Sequence, residues 1–538
     1  MYQDKVKAYL IVVLCFGMFL STSNSYGQLV QNLTIGNAKA VALGHAVTAD
    51  PPGIDSIHFN PAGLSRLKGR QVQLNFLAAD ASLTGKFTSN DSYDALLEEF
   101  DETDPIANTT SEIDAVAFYS PIGGITEIPV PVGMVGGMSF APSDSKMVFA
   151  TAVYAPLIGG YIRDDNDPGR YYGKEVGLSR ITFFSPTVSY QVTSTLALGA
   201  GLGFSYFGAA ATIDFRAPNA AIGIVKNIAD ATCDGEGNGL VFQGVPIDLC
   251  GGELSPFETL LSVEVDLEKK VSTTFNLGFL WEVTPWLTFG GVYQSEAVDT
   301  LEGDVLIVLH DNLLGFTQGL ADSNPALNTL VNALELSKDD ARIERKGTLD
   351  FTLPAHAALG ISLQITPSLK LNVDWKWTES GTWDKLKVEI DEPHPVLALA
   401  GDVVGIDNIS ATSITLPRNY ENTSNFAYGI EYQLTDRTAL RIGYEPRKTG
   451  IPKNTMDFLV PVGDFDFYGV GSSHKLDRDS VLDISIAYFK SEIDIPAGSS
   501  ENGNNDRIDN IIYNPSAGLD VSATVEAVVL EIGYRTQF

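Results

Sequence analysis

Residues 369–377 read Leu-Lys-Leu-Asn-Val-Asp-Trp-Lys-Trp, a strict alternation of apolar and polar side chains. Successive side chains of an extended strand point to opposite faces. Leu369, Leu371, Val373, Trp375 and Trp377 therefore share one face, and Lys370, Asn372, Asp374 and Lys376 share the other. The same period groups Leu482, Ile484, Ile486 and Tyr488, and likewise Phe426, Tyr428, Ile430 and Tyr432. It sets Leu440, Ile442 and Tyr444 against Arg441, Gly443 and Glu445. At the C-terminus it gathers Val528, Leu530, Ile532, Tyr534, Thr536 and Phe538 on one face.

A soluble sandwich alternates too, but its apolar face turns inward. Here the segments run about ten residues with aromatics near their ends, the pattern of strands whose apolar face dissolves in lipid. Short polar turns are expected at Gln191–Thr195, Val283–Pro285, Thr366–Ser368, Thr435–Arg437 and Leu476–Asp479. Long connections separate them, roughly Ala217–Ser262, Leu309–Ala341, Asp391–Ser424, Thr449–Asp464 and Asp494–Ser522. Short turns at one end and long loops at the other mark an outer-membrane barrel. Lipid offers no partner to an unpaired backbone group, so such a sheet must close. The expectation is an all-β fold, a transmembrane antiparallel β-barrel of about 14 strands over residues 70–538. The region Glu112–Ala155 holds two to four of the strands. The terminal Phe538 closes an amphipathic strand, the signal that barrel-assembly machinery reads.

Of 538 residues, 35 are Lys or Arg and 67 Asp or Glu, a formal charge of −32. That acidity excludes nucleic-acid binding, which needs a basic footprint. With 44% hydrophobic residues the chain is not disordered, and its acid belongs in solvated loops. Residues 1–27 read as a signal peptide: Lys5 and Lys7, an apolar core Ala8–Leu20, then a polar stretch ending Ser25-Tyr26-Gly27. Leu14 before Cys15 argues against a lipoprotein. An exported chain lets Cys233 and Cys250 form one disulfide across a Gly-rich loop. Residues 28–69, Ala- and Gly-rich, are too short for an independent domain. They form either a hatch inside the barrel or a periplasmic tail.

Chemistry-bearing motifs are sparse. There is no Gly-x-Ser-x-Gly elbow, no His-Glu-x-x-His and no Cys-x-x-Cys, and the six histidines are scattered singly. Asp164-Asp165-Asn166-Asp167 begins like a calcium loop, but Pro168 and the missing late Glu break the pattern. Gly199, Gly201 and Gly203 alternate in a strand, where small lumen-facing residues make room for a pocket. The expectation is a non-enzyme with no cofactor or metal. Leu327, Leu330, Val331 and Leu334 fall on one helical face within a long loop, a candidate groove for a hydrophobic ligand or ordinary packing. Val396, Leu397 and Leu399 carry the same ambiguity. Arg163, Arg170, Lys174 and Arg180 cluster in sequence, with Arg163 and Arg180 candidates for holding a carboxylate head group; solvated surface charge is the competing reading.

At Ser56-Ile57-His58-Phe59-Asn60-Pro61-Ala62-Gly63-Leu64 the sequence resembles the FadL family of outer-membrane long-chain fatty-acid transporters. The family's hatch ends in an Asn-Pro-Ala element, here Asn60, Pro61 and Ala62. Tyr154, Ala155 and Pro156 look like the end of its third strand, and Leu196–Gly203 like its Gly-rich fifth. Leu353-Pro354 resembles its eighth. Arg441–Tyr444, Ile451-Pro452, Pro461 and Asp464–Asp466 resemble its late strand–loop–strand block. The resemblance implies a fourteen-stranded barrel plugged by an N-terminal hatch. Ligand is captured at outer loops, moves to an apolar lumen pocket and leaves sideways where the third strand kinks inward. It further implies a monomer, with outer-membrane lipid and a hydrophobic ligand as partners. His58, Phe59 and the long acidic loops depart from better-known members and leave the substrate open, since some members carry aromatic hydrocarbons. A general diffusion porin and a surface adhesin or receptor are the alternatives.

Overall fold

The computed structural model describes residues 35–100, 103–128, 132–218, 240–242, 245–247, 254–323, 325–337, 341–398, 408–505 and 514–538. Residues 1–34, which include the stretch 1–27 read as a signal peptide, and both Cys233 and Cys250 lie outside the described residues.

Fourteen antiparallel strands close on themselves. They are β1 (Gly69–Thr88), β2 (Thr109–Glu112 and Val132–Ala141), β3 (Met147–Ile162), β4 (Glu175–Phe184 and Thr187–Gln191), β5 (Leu196–Phe215), β6 (Leu261–Thr284) and β7 (Leu287–Gln294 and Ala297–Leu309). They continue as β8 (Arg342–Leu353 and His356–Thr366), β9 (Leu369–Thr378 and Lys385–Ile390), β10 (Ser413–Pro417 and Thr423–Gln433), β11 (Thr438–Arg447), β12 (Phe465–Lys475), β13 (Ser480–Ile495) and β14 (Asp520–Gln537). The barrel seals through β1 and β14, in register from Gln71–Gln537 to Thr88–Asp520. Closure removes every sheet edge that lipid would leave unpaired.

The alternation sorts as expected. Leu359, Ile430, Ile442, Ile486 and Leu530 are exposed on the outer wall, while Asn372, Asp374 and Lys376 are buried in the lumen. Tyr428, Tyr444 and Tyr468 form an aromatic row, with ring centroids 6.4 and 5.3 Å apart. The Tyr444 and Tyr488 hydroxyls donate to Asp466 and Glu526 across exposed 2.7 Å bonds, which marks the outer edge of the apolar belt. Above it the strands run on into water. One consequence corrects the sequence reading: the outer piece of β10, Ser413–Pro417, falls inside the expected loop Asp391–Ser424. The expected short turns all join neighbouring strands at the other end.

The region left ambiguous resolves into β2, β3 and a hairpin. β2 leaves the wall after Glu112, forms a hairpin of Ala115–Ser120 and Gly124–Ile128, and rejoins at Val132.

Inside the barrel lies the chain from Ile35 to Leu67. It travels along the inner wall from β12 back to β5, and at every one of these strands except β9 it meets a glycine. A Cβ at Gly469 would stand 2.0 Å from the Val41 carbonyl oxygen, and one at Gly443 1.9 Å from the Gly44 nitrogen. At Gly290 it would stand 2.2 Å from the Thr48 oxygen, and at Gly199 2.2 Å from the Pro61 carbonyl carbon. Only a residue without Cβ permits backbone to approach so closely. The room offered by Gly199 is therefore filled by the chain's own backbone rather than left as a pocket. Gly201 and Gly203 are crowded instead by Thr187 and Thr274 of neighbouring strands.

Candidate functional site

Asn60 is fully buried and all its amide groups are used. Its Nδ2 donates to the Thr48 and Phe279 carbonyls at 2.8 and 2.9 Å, and its Oδ1 accepts from the Ala62 amide at 3.1 Å. It thus caps the turn Pro61–Arg66, with Pro61 at the first position where no donor is required. His58 packs against Phe59 and against Tyr154 of β3, at ring centroid distances of 5.2 and 5.4 Å. The structure thus brings the Asn-Pro-Ala neighbourhood and the Tyr154-Ala155-Pro156 element to one place. Burial pulls His58 down to about 3, so it is neutral at neutral pH.

A second buried group fixes the segment further along. Glu445 of β11 accepts from Lys376 Nζ at 2.8 Å, Asn425 Nδ2 at 2.7 Å, Arg447 at 2.7 Å and His45 Nδ1 at 2.9 Å. Burial lowers His45 to about 4 even though Glu445 opposes the shift. Asp55 faces the other way. Its Oδ2 accepts from Asn37, Gln73 and Asn75 at 2.7, 2.6 and 2.5 Å, yet burial raises it to about 6.

Beside Tyr154 the wall is interrupted. β2 and β3 pair from Gly136–Val153 to Phe140–Phe149 and again only at Ala115–Ile162 and Val116–Tyr161. On that side of β3 the ladder therefore stops at Val153 and resumes at Tyr161 among the described residues. Across the same opening, β1 pairs with β2 up to Ala78 and resumes at Thr84. On its other side β3 carries a bulge at Ala155-Pro156, where Tyr154–Thr182 steps to Leu157–Arg180. Just below, Ala152 exchanges hydrogen bonds of 2.9 and 2.7 Å with the Ser185 side chain instead of a backbone partner. The hairpin that β2 sends out clamps the outer face. Tyr119 donates to Asp266 at 2.5 Å, and its carbonyl accepts from Ser179 Oγ. Asp266 precedes lumen-facing Leu267, so the hairpin lies outside the barrel.

The opening leads to an apolar tract. Leu157, immediately after the bulge, joins buried Phe207, Leu267, Leu301 and Phe351 across the lumen. Arg180 lies in the wall beside it, donating to Asp299 at 2.7 Å and Ser272 at 2.5 Å, so its charge is already matched. Arg163 sits higher, between the rings of Tyr161 and Phe458 at 4.1 and 4.8 Å, and donates to the Gly173 carbonyl. Both are buried, which corrects the reading of solvated surface charge. Arg170 pairs with Asp214 at 3.2 Å and Lys174 with Asp165 at 2.5 Å. The helical face is elsewhere again. Val331 of the helix Pro325–Ala333 is buried against Val305, Ile307 and Ile343, whereas Leu330 is exposed and Leu327 and Leu334 are half-buried. Of the second loop group, Leu397 packs in that same cluster.

A closed fourteen-stranded antiparallel barrel is the architecture that the resemblance implied. The family model for outer membrane protein transport proteins (OMPP1/FadL/TodX) matches residues 18–538. The chain belongs to the FadL family. Outer membrane protein P1 of Haemophilus influenzae is 24% identical over 471 residues, 86% of this chain and 85% of that protein. The crystal structure of a Pseudomonas aeruginosa FadL homologue is similar with a TM-score of 0.64 at 18% identity, covering 96% of this chain and all (100%) of that one. The Pseudomonas putida toluene transporter TodX gives 0.57 at 14% identity, covering 95% and 100%. This FadL-family barrel is an outer-membrane protein whose family transports hydrophobic molecules.

Three features escaped the sequence reading: the outer hairpin, the Glu445 hub and a second wall interruption in β8–β9. Prolines were the available signal. Pro156, Pro186 and Pro354 lie inside strands, where a residue without an amide donor marks a bulge or break.

Proposed function

We propose that this chain passes hydrophobic small molecules, long-chain fatty acids foremost, from the cell surface inward without an energy source or catalysis. Outer loops capture the ligand, the tract from Phe351 to Leu157 holds it, and the interruption beside Ala155-Pro156 releases it sideways. Residues 28–69 act as the hatch that denies it, and water-soluble solutes, a straight path. The observation carrying this reading is that the ladder on the β2 side of β3 stops at Val153 and resumes at Tyr161 among the described residues, where β3 meets the apolar tract at Leu157. A hydrocarbon chain gains about 0.8 kcal/mol for each CH₂ kept from water. A dry lumen opening into lipid therefore costs such a ligand far less than a wet pore would.

Deleting Pro156 should remove the one-residue surplus of the bulge and let β3 run straight. Uptake of a labelled long-chain fatty acid by cells should then fall at least tenfold, with folded barrel unchanged on unheated gels. Unchanged uptake would sink sideways release. Liposome swelling with sugars separates this reading from a porin, because the intact protein should pass none.

A further inference from the structure

The wall is interrupted a second time, across the barrel from β3. β8 and β9 pair at Leu349–Val388, then not again until His356–Thr378. Between these points β8 advances seven residues and β9 ten, and the surplus forms the turn Ser380–Thr382. The result is a cleft of about 300 Å³ lined by Thr348, Thr352, Phe351, Trp383 and Leu386, with Lys385 and Lys387 among the charges at its rim.

The floor of this cleft is part of the luminal tract. Trp383 donates Nε1–H to the Thr352 carbonyl at 2.6 Å, closing one backbone group that the ladder leaves open. Its ring lies 5.3 Å from Phe351, and Phe351 lies 5.0 Å from Phe207. Phe207 packs with Leu267, Leu301 and Leu157. One continuous apolar tract thus runs from the β8–β9 cleft to the bulge of β3. The cleft sits directly above Trp375 and Trp377, where the lipid-facing belt of β9 ends and charged side chains begin.

We infer that the β8–β9 cleft is a side entrance for long-chain carboxylates, taken tail first from the outer membrane interface. The inference rests on the transport reading above. Lys387 is paired with Glu389, and Asp350 and Asp384 also line the cleft, so the head group falls to Lys385, which is half exposed with Asp384 3.9 Å away. The tract fits only the tail, because the cation beside it, Arg180, is held by Asp299. The head group therefore stays at the rim while the tail displaces the contact of Trp383 with Phe351.

Two measurements test this. The first is uptake of labelled long-chain fatty acid by cells carrying Thr348→Trp or Thr352→Trp, which fill the cleft from its outer side. Initial rates should fall at least fivefold at equal folded protein. Rates equal to wild type would overturn the entrance while leaving the transport reading intact; no uptake by wild type would overturn both. The second measurement survives a folding failure of the filled variants. A bromine-tailed fatty acid added to the detergent-purified full chain should quench a tryptophan component that Trp383→Phe removes. Quenching that persists in Trp383→Phe would place the ligand elsewhere, and quenching by bromobenzene but not by the brominated acid would overturn the carboxylate assignment.

Discussion

The N-terminal segment meets the barrel in two different ways. Toward β5–β12 its backbone lies against glycines, and the contact is sealed by the Glu445 hub and the saturated Asn60. Toward β13, β14 and β1 the contact is more polar and leaves more open space. A hollow of about 430 Å³ opens there among Asp50, Gln73, Arg441, Asp483 and Arg535. Nearby, both carboxylate oxygens of buried Glu531 lack a hydrogen-bond donor among the described residues. Tight packing is the stabilising half of the seat, whereas a buried carboxylate without partners costs free energy. The difference teaches that the segment is anchored along one arc of the wall and held less firmly along the other.

Removing the segment altogether should break the comparison most plainly. Deletion of residues 28–62 is expected to convert a sugar-impermeable barrel into one that swells liposomes; a deletion variant that stays closed would mean the outer loops alone seal the lumen. Glu445→Ala comes next, because it removes the carboxylate that faces buried Lys376, at a cost of about 3–5 kcal/mol. Urea or thermal unfolding reads that loss. The two arcs are then set against each other directly. Gly443→Val drives a side chain into the Gly44 backbone and should cost about 1–3 kcal/mol, with faster protease nicking near residue 44. Glu531→Gln, on the more open arc, should be neutral or stabilising; equal damage from both would erase the distinction.

The smallest effect is that of pH. His45 and His58 sit at about 4 and about 3, below the ordinary 6.5, so the folded state binds fewer protons. Their contribution is complete above 6.5 and is lost as pH falls toward those values. Asp55, raised to about 6, works in the opposite sense, contributing fully below its ordinary 3.8 and losing that contribution as pH rises through 6. Acidification from pH 6.5 to 4 should therefore loosen the two histidines' contacts while tightening the Asp55 corner. Hydrogen exchange of residues 41–62 measured across that range checks both signs.

The wall was legible because lipid imposes its pattern on every strand: Leu369–Trp377 and Val528–Phe538 have no other stable arrangement at membrane depth. Legibility ends where that pressure ends. Ser413–Pro417 lies above the belt and alternates, but at 5 residues it is too short to separate it from the loop. Ala115–Tyr119 is a continuous apolar run without alternation, and nothing local says that the hairpin it begins folds back over β4–β6. The glycines at 199, 201 and 203 announced a need for space, but not that at Gly199 the chain's own start would occupy it. The clustering of Arg163 and Arg180 in sequence said nothing of their separate burial. Asn60-Pro61-Ala62 and Tyr154-Ala155-Pro156 were found as motifs, while their meeting through His58 is a tertiary fact.

Pro156, Pro186 and Pro354 give the breaks in the sheet a particular permanence. Each has no amide hydrogen to return to a neighbour, so no rearrangement can knit these seams shut with a regular ladder. The perforations are written into covalent chemistry rather than held by a latch. A barrel broken in this way needs no trigger to keep its seams apart.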